Sequence, residues 1–547
     1  MATLSFKGKS FIQNYHLAVK YHELIPVKKK SLTDKVNLKD NLIIHGDNLK
    51  ALKALLPTYA GKIKCIYIDP PYNTGIEGWA YNDSVNSPMM QEWLGQVVNK
   101  DDLTRHDKWL CMMMPRLKLL RELLAEDGII FISIDDNELR HLLMLMDSIF
   151  GENNSLGAFI WRKKEGGGQT DTYFVTEHEY IVVYMKSEIF EWYDEVIPVS
   201  EAEYSKKDKD GSFDAIKLAK WGIGAKREDR PKMYFPIKDP DGNNVYPKTP
   251  DGREGRWRVG KTRMAELIEK DLIYWEKRNG EWTPYEKEYF ETGKVKKIKE
   301  RSILYEVANT GDASNELKEI FGVKDIFDNP KPQELIKFFI RYTTKSDSIV
   351  LDSFSGSGTT AHAVLDLNKE DGGNRKFILV ECEDYADKIT AERVRRVIRG
   401  VPEANNENLK KGLGGSFSYF ELGDPIVMEN ILEGTKFPSY IDLARYVYYT
   451  ATGEEFLPEQ VDEEKHFIGE SKEYEVYLFY KPDLDYLKST ALTLEVAKTL
   501  GKYFGKKKLI FAPTKYLDLN DSELLAKHGL KNIEYCQLPF EIYKLKE

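Results

Sequence analysis

An acid, two prolines and an aromatic close an apolar run at Ile66-Tyr67-Ile68-Asp69-Pro70-Pro71-Tyr72, and Asn73-Thr74-Gly75 follow. The run is β-prone and predicts a buried strand. Neither proline has an N–H to give to a ladder, so the strand must stop at Asp69 and pass into a stiff loop. That loop brings together a carboxylate, a backbone carbonyl without a ladder partner and a π-face. The grouping suits a flat amine such as a nucleobase. A turn or a helix cap would account for Asp69 alone, but not for two prolines and a tyrosine at a sheet edge.

A second chemical stretch begins at Ser348-Ile349-Val350-Leu351-Asp352, a strand that ends in an acid. Ser353-Phe354-Ser355-Gly356-Ser357-Gly358-Thr359-Thr360 then leads into a helix. Glycines allow a ligand to approach the backbone, and the helix N-terminus favours an anionic group. The stretch lacks the GK[ST] of a phosphate-binding P-loop, and Ala361 stands where a dinucleotide loop has its third glycine. The next strand, Lys376 to Glu381, ends in an acid suited to ribose hydroxyls. A ligand with an amino-acid end, a ribose and an adenine fits this set, and S-adenosylmethionine is one.

The elements around these stretches predict how they meet. Leu42 to Ile44 reads as a strand that turns at Gly46-Asp47, and Leu49, Leu52, Leu55 and Leu56 follow at helical spacing up to Pro57. The strand at Lys64 to Ile68 is then parallel to it by the right-handed crossover rule, which puts Asp47 and Asp69 on one edge. Lys108 to Leu124 predicts an amphipathic helix ended by Asp127-Gly128. Ile129 to Ile134 predicts a strand ending at Asp135-Asp136, whose acids would cap the helix Glu138 to Phe150. With the strands near 350 and 380, this is α/β: a doubly wound, mostly parallel, Rossmann-like sheet.

Composition bounds the rest. A chain of 547 residues needs about three domains. We expect an arm over 1–40, a catalytic domain over 41–151 and 331–400, an insertion over 152–330, and a linker with a small α/β domain over 401–547. The insertion leans to β structure, with a glycine loop at 166–168, Pro/Gly turns, and aromatics among Lys and Arg, including Trp161, Trp221, Trp257 and Trp282. Interleaved rings and cations suit nucleic acid, although a small core explains most single aromatics. The net charge is −9, the wrong sign for a protein that simply coats nucleic acid, so any such contact must be a local patch. Lys294 to Arg301 has five positive charges in eight residues, either a solvated helix face or a phosphate contact. Cys65, Cys111, Cys382 and Cys536 are dispersed, which argues against a zinc site or a disulfide framework and for a reducing cytoplasm. No apolar run of membrane length and no secretory h-region is present, so no membrane association is expected.

Asp69-Pro70-Pro71-Tyr72 together with Phe354-x-Gly356-x-Gly358 resembles the signature pair of DNA amino-methyltransferases. The tyrosine motif comes first and a long segment separates the two, an order similar to the permuted β group of N6-adenine methyltransferases. The chain resembles most closely the modification subunit of Type III restriction-modification systems. The supporting stretches are His45 to Leu49, Asp69 to Gly75, Phe131 to Glu138 and Glu177-His178-Glu179-Tyr180. The resemblance implies that the Asp69 carboxylate and the Pro70 carbonyl accept the hydrogens of adenine N6, and that Tyr72, following Pro71, stacks on the flipped base. It implies that Phe354, Gly356 and Gly358, with the adjoining Asp352 and Thr359, shape the pocket of S-adenosylmethionine, while Glu381 holds its ribose. Lys331-Pro332 resembles a further cofactor motif, and Asp47 is assigned to the adenine end of the donor. Residues 152–330 would recognise the target in double-stranded DNA. Relatives of this kind pair as homodimers and with a helicase-nuclease restriction subunit. The chemistry implied needs no metal.

Three other readings stay open. No cysteine follows a proline, which disfavours attack on a cytosine ring carbon. N4-cytosine methylation uses the same amine logic, and the acid at position 69 favours adenine over it. RNA or protein-glutamine methylation shares similar motifs, and an inactive DNA-binding specificity subunit would share the architecture.

Overall fold

The structure, a computed structural model, describes residues 4–74, 105–166, 173–278, 280–426, 431, 436–501, 505–519 and 522–538. Gly75, Gly167 and Gly168, named in the expectations, lie outside the described residues.

The chain divides into two compact units, Met1–Tyr193 with Arg301–Glu547, and Asp194–Glu300. The first is built on a ten-stranded sheet. Its elements in chain order begin with β1 (His22–Pro26), β2 (Leu42–His45), α1 (Asn48–Tyr59), β3 (Ile63–Ile68), α2 (Arg105–Leu123), β4 (Leu124–Ile134) and α3 (Leu139–Phe150). Then come β5 (Ser155–Arg162), β6 (His178–Met185), β7 (Ile303–Leu304), α4 (Thr310–Phe321), α5 (Gln333–Thr343) and β8 (Ile349–Asp352). α6 (Thr359–Asp371), β9 (Lys376–Glu381), α7 (Glu392–Arg399) and β10 (Ser418–Pro425) complete it. The spatial order is β1-β10-β2-β9-β8-β3-β4-β6-β5-β7. The six strands from β10 to β4 run parallel, while β1 and β6 pair antiparallel to their neighbours.

Both faces of the sheet are covered, and the side-chain period of two divides each strand between them. Ile66 and Ile68 of β3 join Ile130 and Ile132 of β4 in one core, under Leu52 and Leu55 of α1, Leu117 and Leu120 of α2 and Leu142 of α3. Cys65, Tyr67, Ile129 and Phe131 face the other way, against Ile336 and Phe339 of α5, Val364 of α6 and Val394 of α7. Each fully buried isoleucine contributes about 1.5–3 kcal/mol. This two-sided burial is why the parallel strands read as unbroken apolar runs.

Several expectations shift by local physics. Pro57 lies inside α1 rather than closing it. A proline in the last turn removes one hydrogen bond only, and its carbonyl accepts the Phe456 N–H. Asp135 does not cap α3. It accepts hydrogen bonds from the Asn137 backbone and side chain, and Glu138 takes the N-cap position without a capping bond of its own. β4 starts at Leu124, before the expected Asp127-Gly128 stop. β1, from the arm, forms an edge and pairs with β10, from the segment after 400, so both segments expected outside the sheet contribute strands to it. β5 and β6, expected within the insertion, pair in the main sheet because Ile181 to Tyr184 are buried there.

The unit Asp194–Glu300 holds a four-stranded antiparallel sheet, in the order Ile273–Arg278, Glu281–Tyr289, Gly211–Lys217, Lys206–Asp208. Trp257, Phe235, Leu267 and Leu218 form its core, so Trp257 is a packing residue. Trp221 is half exposed with Lys217 Nζ 3.8 Å from its ring centroid. The basic run is a strand, not a helix face. Val295–Ile298 pairs with Glu195–Pro198, and Lys294 and Lys296 form ion pairs with Glu288 and Glu203. In the C-terminal part, Tyr474–Leu478, Lys507–Ala512 and Ile533–Gln537 form a parallel sheet with Phe467–Glu470 on its edge. Two short helices, Leu484–Ser489 and Leu494–Thr499, flank the strand Ala491–Leu492. Asp483 and Thr493 each cap a helix, which is the signal for two starts.

Candidate active site: a cleft at the carboxyl ends of the parallel strands

β8 lies between β3 and β9, so the loops after these three strands open side by side. This is where the strand order reverses, the position at which open α/β sheets bind ligands. A cleft of about 1130 Å³ is lined there by Asp69, Pro70, Pro71, Tyr72, Lys331, Asp352, Phe354, Gly356, Thr359 and Glu381. Ten of the thirteen residues singled out from the sequence therefore share one wall. Asp47, Pro332 and Gly358 are not part of it.

The Asp-Pro-Pro-Tyr loop is held from the side of α2. Trp109, fully buried, donates its Nε1–H to the Pro71 carbonyl at 2.7 Å. Asn73 adopts a left-handed φ of 58° and donates to the Arg105 carbonyl and to Glu138. Glu138, fully buried, also bonds the Nδ1 atoms of His106 and His141 at 2.7 Å each. The Pro70 carbonyl accepts no hydrogen bond among the described residues, as the sequence required.

The reactive groups form a network of their own. The Tyr72 hydroxyl donates to Asp69 Oδ1 at 2.8 Å and lies 3.0 Å from Glu179 Oε2. Lys331 Nζ donates to Asp69 Oδ2 at 2.7 Å, lies 3.5 Å from Glu179 Oε2, and sits 5.1 Å from the Tyr72 ring centroid. Lys163 Nζ donates to Glu179 Oε1 at 3.0 Å. Burial pushes the Glu179 carboxyl up, and the two ammonium groups more than offset it, so it is held below the ordinary range. Burial opposes charge on Lys331 too, yet Asp69 and Glu179 raise it above the ordinary lysine range. Burial and the carboxylates push the Tyr72 phenol well up. Lys331, expected at the donor, thus directs its ammonium to Asp69.

The glycine loop is braced from below. Asp352 accepts the Phe354 N–H at 3.0 Å and the Thr360 hydroxyl at 2.6 Å, and burial raises its carboxyl to about 7. Gly356 and Gly358 have φ of 49° and 80°, a region that disfavours side chains. A Cβ on Gly358 would lie 3.0 Å from the Thr390 carbonyl oxygen. Arg393, fully buried, donates to Ser357 and Thr359 and pairs with Glu316. Glu381 accepts the N–H groups of Gly356, Cys382 and Glu383 at 2.7, 2.9 and 3.1 Å, and burial lifts its carboxyl to about 7 despite them. Asp47 caps α1 by accepting the Lys50 N–H, and Pro332 occupies the N-cap position of α5.

The residues present fit a donor with a ribose and charged ends. Ser353 Oγ and Ser355 Oγ are buried at the loop with no hydrogen-bond partner among the described residues. The three bonds on Glu381 leave acceptor capacity, because a carboxylate offers about four lone-pair sites.

Sequence reasoning did not single out Glu179, Lys163, Trp109 or Arg393 as working residues. Glu179 stood in the Glu177-His178-Glu179-Tyr180 stretch already noted, so a signal for it existed. The other three reach the site only through the fold.

An α/β sheet with an Asp-Pro-Pro-Tyr loop and a glycine loop on one cleft defines the class, and the chain matches the family described as DNA methylase over residues 63–392. It belongs to that family. It is 36% identical over 420 residues to the Type III restriction-modification enzyme EcoPI Mod subunit of Escherichia phage P1, covering 68% of this chain and 64% of that one. It is 33% identical over 453 residues to the StyLTI Mod subunit of Salmonella typhimurium, covering 77% and 66%. It is 36% identical over 351 residues to the Type II methyltransferase M.KpnI of Klebsiella pneumoniae, covering 61% and 79%. The chain spans just under two thirds of the length of the two Mod subunits. No helix among the described residues is long and apolar enough to cross a membrane.

Proposed function

We propose that the chain is a site-specific, adenine-specific DNA methyltransferase, the modification subunit of a restriction-modification system. It moves a methyl group from S-adenosylmethionine to the N6 amine of an adenine flipped from duplex DNA. The observation that carries this reading is the single cleft that joins Asp69-Pro70-Pro71-Tyr72 to Phe354, Gly356 and Glu381. Similarity to proteins named as Mod subunits supports it.

An exocyclic amine is a poor nucleophile because its lone pair is delocalised into the ring. Asp69 and the open Pro70 carbonyl accept its two hydrogens and draw the nitrogen toward tetrahedral geometry, which localises that pair. The Tyr72 ring supports the base and repays part of the unstacking that flipping costs. S-adenosylmethionine, when bound, supplies an electrophilic methyl on a sulfonium. Glu381 would hold its ribose and the loop Phe354 to Thr359 its amino-acid end, while Asp47, which the resemblance assigns to the adenine end, caps α1 outside the cleft lining. Lys331-Pro332 and Asp352 frame the same edge. Alignment of the amine with the methyl is the main source of rate, so the work is positioning and electrostatics.

We assign target recognition to 152–330, centred on the unit Asp194–Glu300, and catalysis to 41–151 with 331–400. Double-stranded DNA is the substrate, and a second copy and a helicase-nuclease subunit are the partners, in a cytoplasmic setting. The test is incubation with labelled S-adenosylmethionine and duplex DNA, followed by nucleoside chromatography. Label in N6-methyldeoxyadenosine that disappears in Asp69→Ala is the expected result. Label in N4-methyldeoxycytidine would overturn the choice of base. Label only in RNA, or DNA binding without label, would overturn the activity.

A further inference from the structure

Both oxygens of the acid that must grip the substrate amine are already engaged. Asp69 Oδ1 takes the Tyr72 hydroxyl and Oδ2 takes the Lys331 ammonium, at 2.8 and 2.7 Å. A carboxylate has lone pairs to spare, so a further N–H could still approach. The charge is the greater obstacle. Methyl transfer makes N6 positive, and an ammonium seated on the same carboxylate opposes that change while weakening Asp69 as an acceptor.

Glu179 is placed to resolve this. Its side chain is 9% exposed, and its Oε2 is within 3.0 Å of the Tyr72 hydroxyl and 3.5 Å of Lys331 Nζ, so it touches both groups that occupy Asp69. Lys163 on Oε1 fixes its other oxygen. It stands on β6, a strand of the main sheet, which gives it a rigid base.

We infer that Asp69, Lys331 and Glu179 form a latch in which the arriving amine displaces Lys331 and the Tyr72 hydroxyl from Asp69 onto Glu179. Without substrate, Lys331 neutralises Asp69 and keeps the clamp in shape. With the target base in place, Glu179 receives the ammonium, and Asp69 faces the amine with its charge uncovered. Glu179 is a positioning residue. It acts through Lys331 and Tyr72, and its role rests on the methyltransferase reading.

The latch makes a prediction that a merely structural role for Glu179 does not. Glu179→Gln leaves Lys331 no second anion, so the ammonium stays on Asp69 and turnover falls. Adding Lys331→Met removes the trapped cation, so the double variant turns over faster than Glu179→Gln alone. The measurement is single-turnover labelling of duplex DNA with labelled S-adenosylmethionine, with melting curves to establish folding. We expect a loss of about tenfold or more in the single variant and recovery of severalfold in the double. A double variant as slow as or slower than Glu179→Gln overturns the latch, as does wild-type turnover in Glu179→Gln. If Glu179→Gln does not fold, Glu179→Asp, which keeps the charge but withdraws it from Lys331, carries the same pair of measurements. Label from the wild type without rescue refutes the latch alone. No label in any nucleic acid from the wild type takes down the methyltransferase reading and the latch with it.

Discussion

If Glu381 holds the ribose as proposed, the binding of S-adenosylmethionine should weaken as the pH falls through about 7, because the carboxyl must then be ionised. Its carboxyl is buried at the end of β9 and lifted from 4.5 to about 7, with three backbone N–H groups already on it. Protonation converts one acceptor oxygen into a donor and removes the capacity left for a hydroxyl. The donor then binds only the ionised fraction. With a midpoint near 7, affinity drops about tenfold between pH 8 and pH 6, or about 1.4 kcal/mol. The sign follows from linkage. The bound form holds fewer protons than the free form, so binding releases protons, about half of one per site at pH 7, and is favoured by raising the pH. The same shift means that the donor-free folded chain holds more protons than the unfolded chain between about 4.5 and 7, so its stability falls as pH rises through that window. Calorimetric titration with S-adenosylmethionine at pH 6, 7 and 8, in two buffers of different ionisation enthalpy, gives both affinity and proton count. In Glu381→Gln the proton release and most of the pH dependence should disappear, leaving only what Asp352, also raised to about 7 beneath the loop, contributes, and affinity at pH 8 should be lower. Affinity that is flat from pH 6 to 8 in the wild type, with no proton release, would refute the assignment of the ribose to Glu381.

Two further outcomes follow from the loops that flank the cleft. Gly358→Ala should cost about 1–2 kcal/mol from its left-handed backbone alone. The contact with the Thr390 carbonyl would also displace the loop, so melting temperature and donor affinity should fall together, and unchanged donor affinity would count against the loop's role. Trp109→Phe removes the hydrogen bond to Pro71, about 1 kcal/mol, and leaves a loop carbonyl unpaired. Turnover on DNA should decline while donor affinity holds, and equal losses in both would mean that Trp109 supports the whole sheet rather than the clamp.

Much of the site was legible because its parts are local. Asp-Pro-Pro-Tyr declares its own strand end, and the loop from Phe354 to Gly358 its own turn. Their meeting was also legible, since parallel strands with right-handed crossovers carry their carboxyl ends to one edge. What surrounds them was not. Lys331 reaches Asp69 across 262 residues, and Arg393 reaches Thr359 from a different helix, so neither contact leaves a local pattern. Asp135 was misjudged because an acid before a helix can serve a turn as well as a cap. The insertion seemed longer than the separate unit because β5 and β6 follow the same compositional change yet bury their faces against β4.

The place of β8 and β9 in the sheet bears on how the chain is made. They fill the gap between β3 and β2, although about 280 residues of chain separate Ile68 from Ile349. At ordinary rates of synthesis that stretch takes on the order of tens of seconds to emerge. Until then β2 and β3 present unpaired edges around a missing centre, and the contacts that close it are among the longest-range in the chain. The cleft that joins the Asp69 loop to the Phe354 loop comes into being only when that slot is filled. A first half of the chain alone therefore carries the tyrosine motif but no cleft, and the cleft forms only once β8 and β9 have joined the sheet.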